Sequence, residues 1–291
     1  MTMSIAFSPL DELNRKGKET SMKTTKKSAI GRFAAFAILV VLGFATVSLA
    51  ISNGTLDTVH PYTGAIIVPN VFGFTGFTGG NGFVSCTGTL VSPRVILTAG
   101  HCINFFLLFN ISPSQLHVDF DPTNVYTPSS SWRDVASYAV MPGFQITNGN
   151  TPDTNDIGVV ILVQPRHDIT PARLAPVSLL DTYPALNKAI ASVLGYGLNE
   201  QLVLTGNRLI TTSSVTNLNE TWLKRAGGTC DFDSGGPTLL TDGPTEYQVG
   251  VHSSNTGGGS APAICGTANY DTRVDTAAVQ SFIQQQIAAN P

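Results

Sequence analysis

The 291-residue chain carries 16 basic and 19 acidic side chains, so charged residues reach only 12%, about half the usual share of a soluble domain. Its 28 Gly and 17 Pro exceed average usage slightly, without a collagen-like or low-complexity excess. These figures exclude a disordered chain and a strongly basic nucleic-acid binder, while the length allows one large or two small domains with a genuine core.

The nominal charge of −3 averages two unlike parts. The first fifty residues hold seven basic side chains (Arg15, Lys16, Lys18, Lys23, Lys26, Lys27, Arg32) and three acidic ones (Asp11, Glu12, Glu19), which leaves residues 51–291 at −7. The basic stretch leads into an apolar run over 33–47, closed by Ser48-Leu49-Ala50. A basic n-region, a short apolar h-region and small residues at −3 and −1 read as a signal peptide over 1–50, cleaved before Ile51. Met22 begins a complete signal of ordinary length, which would make 1–21 an upstream extension. The alternative is an N-terminal membrane anchor over 33–51, interrupted by Gly43, Thr46 and Ser48. The expected location is outside the cytoplasm, secreted or periplasmic, with no stable membrane association after cleavage.

Beyond the signal, strand-like runs dominate: 62–68, 87–97, 134–140, 157–163, 189–194, 247–251 and 270–274 are short, β-branched or aromatic, and bounded by turn residues. The gaps at 73–82, 122–131 and 256–260 carry glycine-rich or polar turn chemistry. Strands do not alternate with long helical patterns, so a parallel α/β sheet is not expected. Residues 164–180, with Pro165, Pro171 and Pro176, read as a linker between two β-rich halves. One helix is predicted at the C-terminus, about 275–288, with Val279, Phe282, Ile283 and Ile287 on one stripe and Asp275 as N-cap.

The four cysteines, Cys86, Cys102, Cys230 and Cys265, all lie in the exported part, and an even count there reads as two disulfides. Three pairings are possible; Cys86–Cys102 and Cys230–Cys265 would close local loops within each half. No C-x-x-C pair supports zinc, and Asp119-Phe120-Asp121 lacks the remaining ligands of a calcium loop. No metal or cofactor is expected.

Three segments carry chemistry: Leu97-Thr98-Ala99-Gly100-His101-Cys102, Asn155-Asp156-Ile157-Gly158, and Cys230-Asp231-Phe232-Asp233-Ser234-Gly235-Gly236-Pro237. A serine hydroxyl is a weak nucleophile at neutral pH; it needs a base within reach, and that base needs a partner to hold its tautomer. Ser, His and Asp are the types that requirement selects. His60, His117, His167 and His252 are read as structural. No P-loop, dinucleotide fingerprint or histidine metal motif appears.

With these motifs in the order His, Asp, Ser, the chain resembles the chymotrypsin-like (trypsin-family) serine proteases, over essentially all of 51–274. The resemblance implies an all-β fold of two packed antiparallel β-barrels with a C-terminal helix: barrel one about 51–165, linker about 165–180, barrel two about 181–274. It implies His101 as general base, Asp156 as its orienting acid and Ser234 as nucleophile. Cys86–Cys102 matches the family's histidine-loop disulfide, and Cys230–Cys265 the bridge beside the substrate pocket. Ser253 matches the serine that supports the triad aspartate and lines the substrate site. Ile51-Ser52-Asn53-Gly54 resembles the family's activating N-terminus, whose freed amino group would pair with Asp233. A protein or peptide substrate follows; the sequence does not fix the oligomeric state, and a monomer is the expectation.

Two positions depart from the family or tune it. The oxyanion hole is implied at the N–H groups of Phe232 and Ser234, yet the family normally has glycine where Phe232 stands, for its freedom at φ > 0. Either the hole is misformed at rest, or the backbone holds its shape and Phe232 shields the leaving-group side. The pocket base is implied at Gly228 and Thr229, with no carboxylate, so little preference for Arg or Lys is expected and more for small or medium apolar side chains. Two other classes remain as alternatives: an impaired homologue acting as a binding protein, and a serine esterase.

Overall fold

The computed structural model describes residues 51, 54–68, 82–126, 131–147, 153–199, 201–256 and 265–291. The export segment, most of the glycine-rich turn before Gly82 and the triple glycine after Thr256 lie outside the described residues. Six short strands from the first half, β1 excepted, close on themselves. β2 (Thr63–Val68), β3 (Phe83–Leu90), β4 (Val95–Thr98), β5 (His117–Asp119), β6 (Arg133–Val140) and β7 (Gly158–Leu162) form an antiparallel barrel in the order β2-β3-β4-β7-β6-β5. β2, β4 and β7 are buried along their whole length, as expected for apolar runs with no face left to water.

The second half repeats the architecture. β8 (Ile190–Gly195), β9 (Leu209–Leu218), β10 (Trp222–Arg225), β11 (Pro237–Asp242), β12 (Thr245–Thr256) and β13 (Ala268–Arg273) run β8-β9-β10-β13-β12-β11, and β11 pairs back to β8 to close it. The fold is therefore all-β, with two closed six-stranded antiparallel barrels and a C-terminal helix. Strand β1 (Thr55–Leu56) departs from the expected partition: it pairs with Leu209 and Ile210 of β9, so the start of the chain joins the second barrel's sheet.

The predicted strand 87–97 divides into β3 and β4. Pro93 offers no N–H to a ladder, and Val91 N–H to Val95 O (2.9 Å) closes a tight turn around it. Helix α1 (Gly100–Leu108) was not expected, since its apolar residues surround it and give no clear stripe. A short helix α2 (Leu179–Thr182) ends the linker. The C-terminal helix α3 (Ala277–Ala289) buries Val279, Phe282 and Ile283, but its N-cap is Thr276, which accepts from Val279 N–H at 3.3 Å. Asp275 is instead held by Arg273 (2.9 Å) and accepts from Leu180 N–H at 2.8 Å, so it ties linker to helix.

A buried charged cluster fixes the start of the chain against both barrels. Arg208, 1% exposed, donates to Asp57 Oδ2 (2.8 Å) and to the carbonyls of Thr63 and Phe120 in the first barrel. Asp57 also binds His60 Nδ1 (2.6 Å), whose other nitrogen faces Glu246 at 3.2 Å. Burial pushes His60 down, but these two carboxylates outweigh it and raise its pKa to about 9. His60 is thus a structural cation, in line with its expected structural role.

Candidate active site

His101 enters from the first turn of α1, directly after β4, and Asp156 from the turn that opens β7. Asn155 adopts φ +49° there, and Ile157 N–H bonds Asn155 O at 2.7 Å, which aims the Asp156 carboxylate back at α1. Asp156 is fully buried and its oxygens are saturated: Oδ1 accepts from His101 N–H (2.7 Å), while Oδ2 faces His101 Nδ1 (2.8 Å) and accepts from Ser253 Oγ (2.6 Å). Burial raises the Asp156 pKa, but His101 and Ser253 more than reverse this and hold it below the usual carboxylate range. Burial likewise lowers His101, and the Asp156 charge and hydrogen bond lift it above 6.5. Nδ1 is thereby committed to Asp156, which leaves Nε2 for chemistry.

Ser234 sits in the loop between β10 and β11, and that loop is pinned from both barrels. Thr87 of β3 donates its N–H to Ser234 O (2.8 Å) and its hydroxyl to Phe232 O (3.2 Å). From the other side, Gly235 N–H bonds His252 O and His252 N–H bonds Gly236 O, each at 2.9 Å. Gly235 has φ +84°, and a Cβ there would meet Thr98 Oγ1 at 2.0 Å and Thr87 O at 2.3 Å, so only glycine fits. His252 is buried, its Nδ1 3.1 Å from Asp233 O, and burial with nearby Arg225 lowers its pKa to about 4. Thr87 is the positioning residue that motif reading missed; nothing near it in sequence marks it except its neighbour Cys86.

Phe232 takes φ +73°, the left-handed region that glycine normally occupies. Its backbone therefore has the shape the missing glycine would have supplied, and its ring packs edge-on to Phe83, centroids 6.3 Å apart. Among the described residues, neither the Phe232 nor the Ser234 N–H is used by a hydrogen bond, so both remain available to a ligand. Ser234 Oγ makes no hydrogen bond to His101 among the described residues, although both line one cavity of about 530 Å³. Such contacts are often loose without substrate and tighten with it.

The remaining predicted residues divide. Thr229 and Ser253 line a second, small polar cavity of about 30 Å³ that also touches Ser234, together with Asn255 and Asn269. Gly228 does not line it: at φ +104° it is turned so that a Cβ would face Thr211, Val193 and Ser213. The disulfides are Cys86–Cys102 and Cys230–Cys265. Ile51 is buried against Leu209 and is not paired with Asp233, since in the full chain it is bonded to residue 50 and carries no free amino group. Asp233 is fully buried, accepts from Gly197 N–H (2.7 Å) and Cys230 N–H (2.8 Å), and burial raises its pKa to about 7. His101, Asp153 and Asp156 bring ligand atoms within 4.8 Å of one another, but the Asp156 oxygens already serve His101 and Ser253. Asp119 accepts from Asp121 N–H at 3.0 Å, a local turn.

The arrangement is that of a serine with a base, a buried acid behind the base, and two free N–H groups beside it. The Trypsin family model matches residues 65–278 of the chain. A curated chymotrypsin from Phaedon cochleariae is 30% identical over 213 residues, covering 66% of this chain and 70% of that protein. A thrombin-like enzyme, kangshuanmei, from Gloydius brevicauda is 25% identical over 173 residues, covering 53% of this chain and 68% of that protein. No helix among the described residues is long and apolar enough to cross a membrane. By fold, motif order and the family match, this chain belongs to the trypsin family of serine proteases.

Proposed function

We propose that the chain is a secreted serine endopeptidase that cleaves peptide bonds through an acyl-enzyme on Ser234. The observation that carries this reading is the buried Asp156 holding His101 by two hydrogen bonds beside a cavity that His101 shares with Ser234. His101 Nε2 takes the Oγ proton as Ser234 attacks the carbonyl carbon, and the same proton goes to the leaving amine as the C–N bond breaks. The Phe232 and Ser234 N–H groups stabilise the oxyanion. Water then attacks the ester, with His101 as base, and releases the acid. The left-handed Phe232 backbone favours a formed hole and so weighs against the impaired homologue. On the acyl side, the small polar cavity at Thr229, Asn255 and Asn269 favours a small side chain over Arg or Lys.

A fluorophosphonate probe tests the reading. Labelling of Ser234, with turnover of peptides as well as esters, is expected. Absence of labelling leaves the binding homologue, and ester turnover without peptide turnover leaves the esterase.

The export step supplies a second proposal: cleavage before Ile51 frees the amino group that pairs with Asp233. Its support is a buried carboxyl that forms no ion pair among the described residues, with only the more distant charge of Arg225 acting on it, together with an apolar side chain already seated against Leu209. Pairing with an ammonium would bring the Asp233 pKa down from about 7 toward the ordinary carboxylate range. N-terminal sequencing of the exported protein is expected to begin at Ile51; a start at Asn53 or later sinks the idea.

A further inference from the structure

The two cavities that meet at Ser234 differ in size and chemistry. The small polar one lies against Ser253 and Thr229. The large one, about 530 Å³, is walled by Phe83, Phe105, Phe109, Leu204 and Phe232, and it opens beside His101 and the Cys86–Cys102 bridge. Its volume lies within the range of about 300–1,000 Å³ common to small-molecule sites. Phe105 and Phe109 meet at a tilt of 54° with centroids 4.8 Å apart, and Phe232 meets Phe83 edge-on, so the rings brace one another around the space. At the end of α1, Leu107 and Leu108 are also exposed, 53% and 68%. A contiguous apolar surface beside a reacting serine marks a binding site.

The chemistry decides which half of the substrate this space receives. His101 must return its proton to the leaving group, so the leaving-group half lies on the His101 side of Ser234. Resting on the acyl-enzyme reading above, we infer that this cavity is the subsite for the segment following the scissile bond, and that it selects an aromatic or large aliphatic side chain there. A ring transferred from water onto these phenylalanines gains apolar burial and edge-to-face contacts. An arginine there would lose hydration against the ring walls, and the one carboxylate among the lining residues, Asp231, is itself exposed to water, where an ion pair is worth little. Phe232 thus has a part of its own: it supplies a hole N–H and one wall of the specificity site.

Partition of a preformed acyl-enzyme reads this subsite apart from acyl-side preference. Acetyl-alanine p-nitrophenyl ester acylates Ser234, and amino-acid amides then compete with water. The amine nitrogen attacks the acyl carbon, the C–N bond forms and the C–Oγ bond breaks, while His101 carries the amine proton to Oγ. Phenylalaninamide and leucinamide are expected to yield at least about tenfold more dipeptide than glycinamide, with argininamide no better than glycinamide. Phe109→Ser, at a half-exposed position, is expected to collapse that ratio toward unity. Equal partition by the wild-type protein, or preference for argininamide, overturns the inference while leaving the acyl-enzyme intact. Failure to form any acyl-enzyme, read as absence of the mass adduct on Ser234, overturns the function and this inference together. The wild-type acceptor panel decides even if the variant does not fold.

Discussion

Ser234→Ala is expected to lower the kcat for peptide hydrolysis by roughly 10⁴–10⁶-fold while leaving the thermal transition nearly unchanged. The substitution removes the attacking oxygen but none of the hydrogen bonds that hold the loop, because Thr87 and Gly235 bind backbone atoms rather than Oγ. Asp156→Asn tests the next link. An amide in that site retains one acceptor, yet it places an N–H where an oxygen now faces both Ser253 Oγ and His101 Nδ1, or else gives up the acceptor for His101 N–H. The imidazole then loses the partner that fixes its tautomer, and a fall of about 10⁴ is expected. The pH profile follows from the same contacts. His101 works as a neutral base, and Asp156 holds its pKa above 6.5, so kcat/KM falls as pH drops through that raised value. Turnover of a quenched peptide across pH, with melting curves for each variant, checks all three statements. A Ser234→Ala protein with more than a tenth of the activity contradicts the mechanism.

Arg225→Leu is expected to be the most destabilising single change in the second barrel. Arg225 and Asp271 are both fully buried; the guanidinium grips the carboxylate at two points (2.5 and 2.7 Å) and also donates to Gly227 O at 3.0 Å. Thr238 Oγ1 gives Asp271 a further hydrogen bond at 2.7 Å. Removal of the cation strands a buried carboxylate, and such breaks cost about 3–5 kcal/mol, a large share of the ~5–15 kcal/mol that hold a domain together. In the variant the folded-state pKa of Asp271 rises above its unfolded value. The native state then holds the extra proton, so the variant loses stability as pH rises through that window and regains it in acid. Urea titrations at several pH values measure this. The double variant Arg225→Leu/Asp271→Leu is expected to recover much of the loss, and a single-variant cost below about 1 kcal/mol refutes the account.

Short-range chemistry was legible in the sequence, and long-range chemistry was not. Strands with β-branched runs, such as β2 and β7, stand out by composition. β9, with its Leu-Ile-Thr-Thr-Ser-Ser-Val-Thr-Asn-Leu run, escapes because half its side chains are hydroxyls and only Leu209, Ser213 and Val215 are buried. α1 escapes because Leu107, Leu108 and Phe109 face outward, against the rule that helices hide their apolar side. Asp275 reads as a cap because it precedes a helix, yet Arg273 and Leu180 claim its carboxylate. His101, Asp156 and Ser234 are conspicuous because each sits in a short motif. Ser253, which reaches Asp156 from the other barrel, is legible through the family resemblance alone, and Thr87, which reaches the nucleophile loop across the same divide, is not legible at all. Gly228 illustrates the limit of motif transfer, since its position in the loop matches the pocket base but its backbone turns it toward the barrel interior.

Thr87 also bears on how such a molecule can come into being. The serine belongs to one barrel and the histidine with its aspartate to the other, and Thr87 is one of several residues, with Ser253 and Arg208, that bond across the join. Neither half alone holds a hydroxyl beside a base. A fragment comprising a single barrel has no lesser version of the chemistry to be improved by degrees. On the acyl-enzyme reading the chemistry exists only in the joint, so such a molecule becomes an enzyme only once both barrels are folded and docked.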